Sequence, residues 1–162
     1  MRIDNKPTTE LDLVYYEIRT SIVFKYHIED EAYGHTFSLA KGKPLDPLPP
    51  EPQNPRPGYK IVWTEKETGE GLPDTAEKNM DFLGTFVPTD YTITYILDGG
   101  ENHPDNPETY TIESPTITLN TPTKTGYVFS GWYSDEAFTS PITEITLGST
   151  GNQILYAKFE AE

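Results

Sequence analysis

Two Gly-Tyr pairs, each followed by a tryptophan, constrain this chain more than any other feature. They are Gly58-Tyr59 with Trp63 and Gly126-Tyr127 with Trp132, and they lie 68 residues apart. Strand-like segments flank both. Opening strands are expected at 22–28 and 92–97, and closing strands at 81–86 and 154–159, ending on Phe86 and Phe159. Self-similarity at a fixed offset is the mark of repeated units. The chain therefore reads as two repeats, 21–88 and 91–160, joined by a short linker that Pro88 stiffens. Segment 1–20 ends in an echo of the closing strand, LVYYEI at 13–18, and leaves open the tail of a third repeat.

The fold class expected is mostly β, α+β at most. Fifteen prolines, twelve glycines and 22 threonines disfavour long helices. Aromatics at 12% weigh against the disorder that an acidic chain invites. Strands are expected at Tyr59–Thr64, Asp81–Val87, Tyr91–Leu97, Tyr127–Tyr133 and Gln153–Phe159, with shorter ones at Glu108–Glu113 and Thr116–Leu119. Asp98-Gly99-Gly100 signals a turn. Thr75–Met80 reads as a short helical turn. Seven prolines crowd residues 43–58, so that loop holds no regular strand or helix.

The GYVFSGWY string has a physical logic of its own. At period two, Tyr127, Phe129 and Gly131 share one face, and Val128, Ser130 and Trp132 the other. Gly131 breaks the pattern as a bulge that re-aims Trp132. A buried tryptophan removes about 200 Å² from water, or roughly 5 kcal/mol before entropy costs. Such burial rivals the whole stability of a small domain. Trp63 and Trp132 are therefore expected in cores, with a sugar-stacking platform as the alternative.

Residues 92–159 resemble the Listeria–Bacteroides repeat, also called the internalin B-type repeat. The resemblance rests on TITYILDGG, on Pro122, Thr123, Gly126, Tyr127, Phe129, Gly131, Trp132 and Tyr133, and on the closing ILYAKF. It implies small β-grasp-like domains in tandem, in secreted or wall-attached bacterial proteins, serving as stalks or adhesive modules. The first repeat lacks the Gly pair and the Gly before Trp63. It is similar, over Pro57-Gly58-Tyr59 and Gly84-Thr85-Phe86, to the mucin-binding protein repeats of Gram-positive surface proteins.

Charge narrows the partners. Twelve cations against 26 carboxylates give a net charge of −14. That disfavours nucleic acid, which demands cationic side chains, and attachment to anionic membranes. No apolar run is long enough for a transmembrane helix, and no signal peptide is recognised. Residues 91–162 hold only Lys124 and Lys158 against ten carboxylates. They are expected to refuse sulfated glycans.

The remaining candidates carry little chemistry. Absent cysteine excludes disulfides, thiolate zinc sites and a thiol nucleophile. Asp98–Glu101 and Ser134–Glu136 offer calcium-type oxygens without calcium-loop spacing. His27, His35 and His103 lack metal-ligand spacing, and Ser38, Ser114 and Ser130 lack a nucleophile elbow. Glu29-Asp30-Glu31 reads as a solvated surface, and the Pro-x-x-Pro spacings at Pro44/Pro47 and Pro52/Pro55 as loop chemistry. No catalysis, cofactor or metal is expected. The expected function is a stalk segment of an exported or surface protein, with an adhesin that binds host glycan, mucin or protein as the alternative. Neighbouring repeats of the parent chain are the other expected partners.

Overall fold

A computed structural model describes residues 21–29, 34–46, 49, 51–52 and 55–162. The strand expected at 13–18 lies outside the described residues, as do 47–48, 50 and 53–54 of the proline-rich loop. Eleven strands and no helix are found among those described, so the protein is mostly β. The contacts divide it into two compact units. One holds Ile61–Phe86 and the described residues up to Pro55; the other holds Arg56–Lys60 and Val87–Glu162.

The first unit is built on β1 (Ser21–Ile28), β2 (His35–Ala40) and all but the end residues of β3 (Tyr59–Glu65) and β4 (Met80–Pro88). They form one sheet in the order β2-β1-β4-β3. β1 and β2 run antiparallel, while β1 and β4 run parallel from Phe24 opposite Met80 to Ile28 opposite Gly84. Alternation sends Phe24, Tyr26 and Ile28 of β1 and Met80 and Phe82 of β4 to one buried face. Their rings stack closely: Tyr26 lies 5.2 Å from Phe37 and 5.5 Å from Phe82, and Phe24 lies 6.0 Å from Phe82. Leu45 and Ala76 close this core from the loops.

Two sequence expectations change here. Thr75–Met80 is not a helical turn. Pro44 and Thr75 form an antiparallel bridge, Gly42 N donates to Ala76 O at 2.7 Å, and Ala76 N donates to Lys43 O at 2.8 Å. Ala76 is fully buried, so its backbone groups must be paired, and the loop beside it supplies the partners a helix would have given. β2 was not anticipated at all, although Phe37 and Leu39 alternate inward along it.

The second unit contains β5 (Tyr91–Ile96), β6 (Thr109–Tyr110), β7 (Ile117–Thr118), β8 (Tyr127–Tyr133), β9 (Pro141–Ile142), β10 (Glu144–Ile145) and β11 (Gln153–Ala161). Five strands make a sheet ordered β6-β5-β11-β8-β9, and β7 pairs with β10. β5 and β11 run parallel; β6 is antiparallel to β5 and β8 to β11. The first four positions correspond to those of the other sheet: a parallel opening and closing pair at the centre, the strand that carries the tryptophan on one side, and an antiparallel edge strand on the other. The core is Ile93, Tyr110, Leu119, Trp132, Ile145, Leu155 and Ala157. The strand expected over 108–113 stops at Tyr110, because Thr111 N turns to bond Ser114 Oγ and Ser114 N returns to Thr111 O. The turn after β5 forms with Asp98 and Gly99 both at positive φ, and Gly100 N donates to Leu97 O. It leads into a bridge between Glu101 and Thr123.

Candidate functional site

Trp132 is 3% exposed, and its Nε1 donates to the carbonyl of Asn120 at 3.0 Å. The bulge anticipated at Gly131 is present: Lys158 opposes Gly131, and the next residue, Phe159, opposes Phe129. Gly131 has φ 149°, a conformation most side chains avoid. The extra residue changes the parity of β8. Simple alternation puts Trp132 opposite to Phe129, but the bulge brings the two rings together, 5.5 Å apart and edge to face. Phe129 in turn meets Phe159 at 5.8 Å.

The rest of the expected signature is distributed as follows. Pro122 is fully buried. Gly126 sits at φ 78° and its carbonyl accepts from Glu162 N. Tyr127 is exposed, with Lys124 Nζ 4.4 Å above its ring and paired to Asp98 at 2.9 Å. In the first unit Trp63 is half-buried and meets Tyr26 edge-on at 5.2 Å. Gly84 lies beneath its indole: a Cβ there would stand 2.9 Å from Cζ3. A small residue, Ala157, likewise faces Trp132 across the ladder. Phe86 is half-buried, and its N–H donates to Glu29 Oε2. Gly58 and Tyr59 group by contact with the second unit, where the Tyr59 hydroxyl donates to Glu113 at 2.7 Å. That bond to a carboxylate holds the Tyr59 pKa above its usual value.

Three polar residues organise the loops; the sequence singles out Asp135 among its calcium candidates but gives no sign of Glu65 or Asn106. Glu65 is buried, and its Oε2 accepts from Thr68 N at 2.7 Å and Glu67 N at 3.0 Å. Burial alone would raise its pKa, but the amides outweigh that and hold the carboxyl below its ordinary value. Asn106, also buried, bonds Asn120 through both ends of its amide. Asp135 accepts from Thr139 N, Thr139 Oγ1 and Ser140 N, and these bonds, Thr139 N foremost, lower its pKa. The calcium candidates Asp98 and Asp135 are thus engaged by Lys124 and by their own loop. His27 Nε2 lies 3.1 Å from Asp81, which also pairs with Lys66 at 3.2 Å. His103 Nδ1 accepts from Asp105 N.

The Asp135 loop presents an aromatic ring to solvent. Phe138 is 39% exposed and has φ 55°. A bulky residue in this left-handed region is uncommon. Its ring meets Tyr133 at 5.3 Å, edge to face. Tyr133 belongs to a cross-strand row on the sheet's outer surface: Ile96 opposes Tyr156, Tyr156 opposes Tyr133, and Tyr133 opposes Pro141. Beside it lies a cleft of about 460 Å³ lined by Ile96, Asp98, Glu136, Phe138, Tyr156 and Lys158, among others.

Residues 91–158 match the family model of the Listeria-Bacteroides repeat domain. The match falls on the stretch whose sequence carries the repeat string, and lies within the second compact unit. Repeats of this family are typical of bacterial surface or extracellular proteins. No curated protein matches the chain.

Proposed function

We propose that this chain is a non-catalytic tandem-repeat segment of a bacterial surface or secreted protein, acting as a stalk or spacer. The observation that carries the reading is the shared strand order, with a parallel central pair in both sheets and a tryptophan strand beside each closing strand. Two β-grasp-like units of one plan, one of them matching a repeat family, are what duplication of a structural module produces. The tryptophans support it as well, since both pack on hydrophobic cores. The test is replacement. In the natural protein, residues 21–162 exchanged for an unrelated β-repeat array of equal length should preserve surface display and the reach of whatever the array carries. Lost adherence at unchanged display would favour the second reading, an adhesive module, which the exposed Phe138 ring supports.

A further inference from the structure

From the row across the outer sheet face of the second unit, and from the clamped loop beside it, we infer a binding groove for a neutral oligosaccharide. The inference goes beyond the spacer role and does not depend on it, because a stalk keeps its length whether or not it holds a sugar.

Phe138 is the first argument. Its φ of 55° is costly for any residue with a Cβ, and although the ring packs against Tyr133 the residue stays 39% exposed. Asp135 imposes the conformation by binding Thr139 and Ser140, while Phe138 N donates back to Asp135 O at 3.2 Å. Strain held in place to expose a large apolar ring points to a use for that ring.

Chemistry selects the occupant. The groove lies on the face of the sheet, where β11 is paired with β5 on one side and with β8 on the other. An extended peptide therefore cannot add as a strand there, and side chains must do the binding. They offer the ring surfaces of Phe138 and Tyr156, the aliphatic Ile96, and a rim of Asp98, Glu136 and Lys158. Pyranose rings match both parts: their C–H faces lie on aromatic rings, and their hydroxyls satisfy carboxylates and an ammonium. A lipid tail would leave the rim groups unpaired. An anionic glycan would meet two carboxylates in a unit with only two cations. The cleft volume of about 460 Å³ lies in the range of small-ligand sites.

The experiment is an amide-resolved NMR titration of the full chain with cellohexaose, maltohexaose, mannohexaose and chitohexaose, beside a heparin hexasaccharide. At least one neutral hexasaccharide should shift Ile96, Phe138 and Tyr156, with a Kd on the order of 1 mM. Phe138→Ala and Tyr156→Ala should each weaken it by roughly tenfold, the loss of a ring contact. Both side chains are partly exposed, so the unperturbed remainder of the spectrum will report an intact fold. Failure of all four neutral sugars to shift these residues would overturn the inference. So would binding that survives both substitutions, preferential binding of the heparin fragment, or sugar-independent shifts of the same residues that grow with protein concentration, which would assign the face to a second copy.

Discussion

The carbonyl of Asn120 takes two donors, Trp132 Nε1 at 3.0 Å and Asn106 Nδ2 at 3.1 Å, while Asn120 N donates to Asn106 Oδ1 at 2.8 Å. One loop residue is thereby tied to the core tryptophan and to a buried amide. Asn106 in turn reaches Asn102 Oδ1 at 2.8 Å, which links the loop after β5 to the segment before β8. Such a network is valuable when complete and costly when broken. Asn106→Ala removes both of its bonds to Asn120 and leaves the half-buried Asn120 N–H unpaired. We expect a loss of about 1–3 kcal/mol. Trp132→Ala should cost more, about 3–5 kcal/mol, because it also opens a cavity. Chemical denaturation measures both, and an Asn106→Ala variant as stable as the parent would refute the role of the network.

Glu65 predicts a pH dependence for the first unit. Its carboxyl is held below the ordinary 4.5 by the Thr68 and Glu67 amides acting against burial. The folded state then binds fewer protons than the unfolded chain near that value. The stability this group contributes is fully present above the unfolded pKa, and is lost as pH falls through the lower, folded value. Glu65→Gln should flatten the acid limb of the unfolding profile below about pH 4.5. The fluorescence of Trp63, two residues away in sequence, reports it. An acid limb of unchanged steepness in the variant would sink the assignment.

Tyr26 carries the opposite kind of feature. Its ring is fully buried in the aromatic cluster, and its hydroxyl has no hydrogen-bond partner among the described residues. Burial pushes its pKa up to about 12. A buried hydroxyl without a partner costs free energy that a phenyl ring would not. Tyr26→Phe should therefore leave the fold intact and raise stability by about 1 kcal/mol. Thermal unfolding of the variant decides, and a clear drop in melting temperature would show that the hydroxyl does bond.

How much of this was legible follows the range of the interactions. The strand at Tyr91–Ile96 and the bulge at Gly131 announce themselves locally, through alternation and through a glycine inside an aromatic run. The family resemblance of 92–159 rests on the same local string. β2 is not legible in HTFSLA, which is short and half polar; its strand depends on Phe37 packing against Phe24 and Tyr26. Thr75–Ala76 looks helical locally because its partners, Gly42–Pro44, lie more than thirty residues away. Strict alternation alone puts Trp132 on the wrong face, and only the bulge that Gly131 signals turns it toward Phe129. The cross-strand row and the strained Phe138 are properties of register and loop closure, and neither leaves a mark on the sequence.

Phe138 offers a test of backbone strain that needs no ligand. At φ 55° any residue with a Cβ pays for the left-handed conformation, and glycine does not. Truncation to alanine and truncation to glycine both remove the ring, with its contact to Tyr133 at 5.3 Å. The difference between the two variants therefore isolates the backbone. In an ordinary extended or helical position alanine would be the more stable by roughly 0.5–1 kcal/mol. Here the order should reverse, with Phe138→Gly more stable than Phe138→Ala by about 1 kcal/mol. Urea unfolding of the two variants, compared at equal slope, measures it directly. Alanine equal to or better than glycine would mean that the loop relaxes out of the left-handed region. The Asp135 clamp would then hold nothing under strain, and the surface position of Phe138 would need another cause.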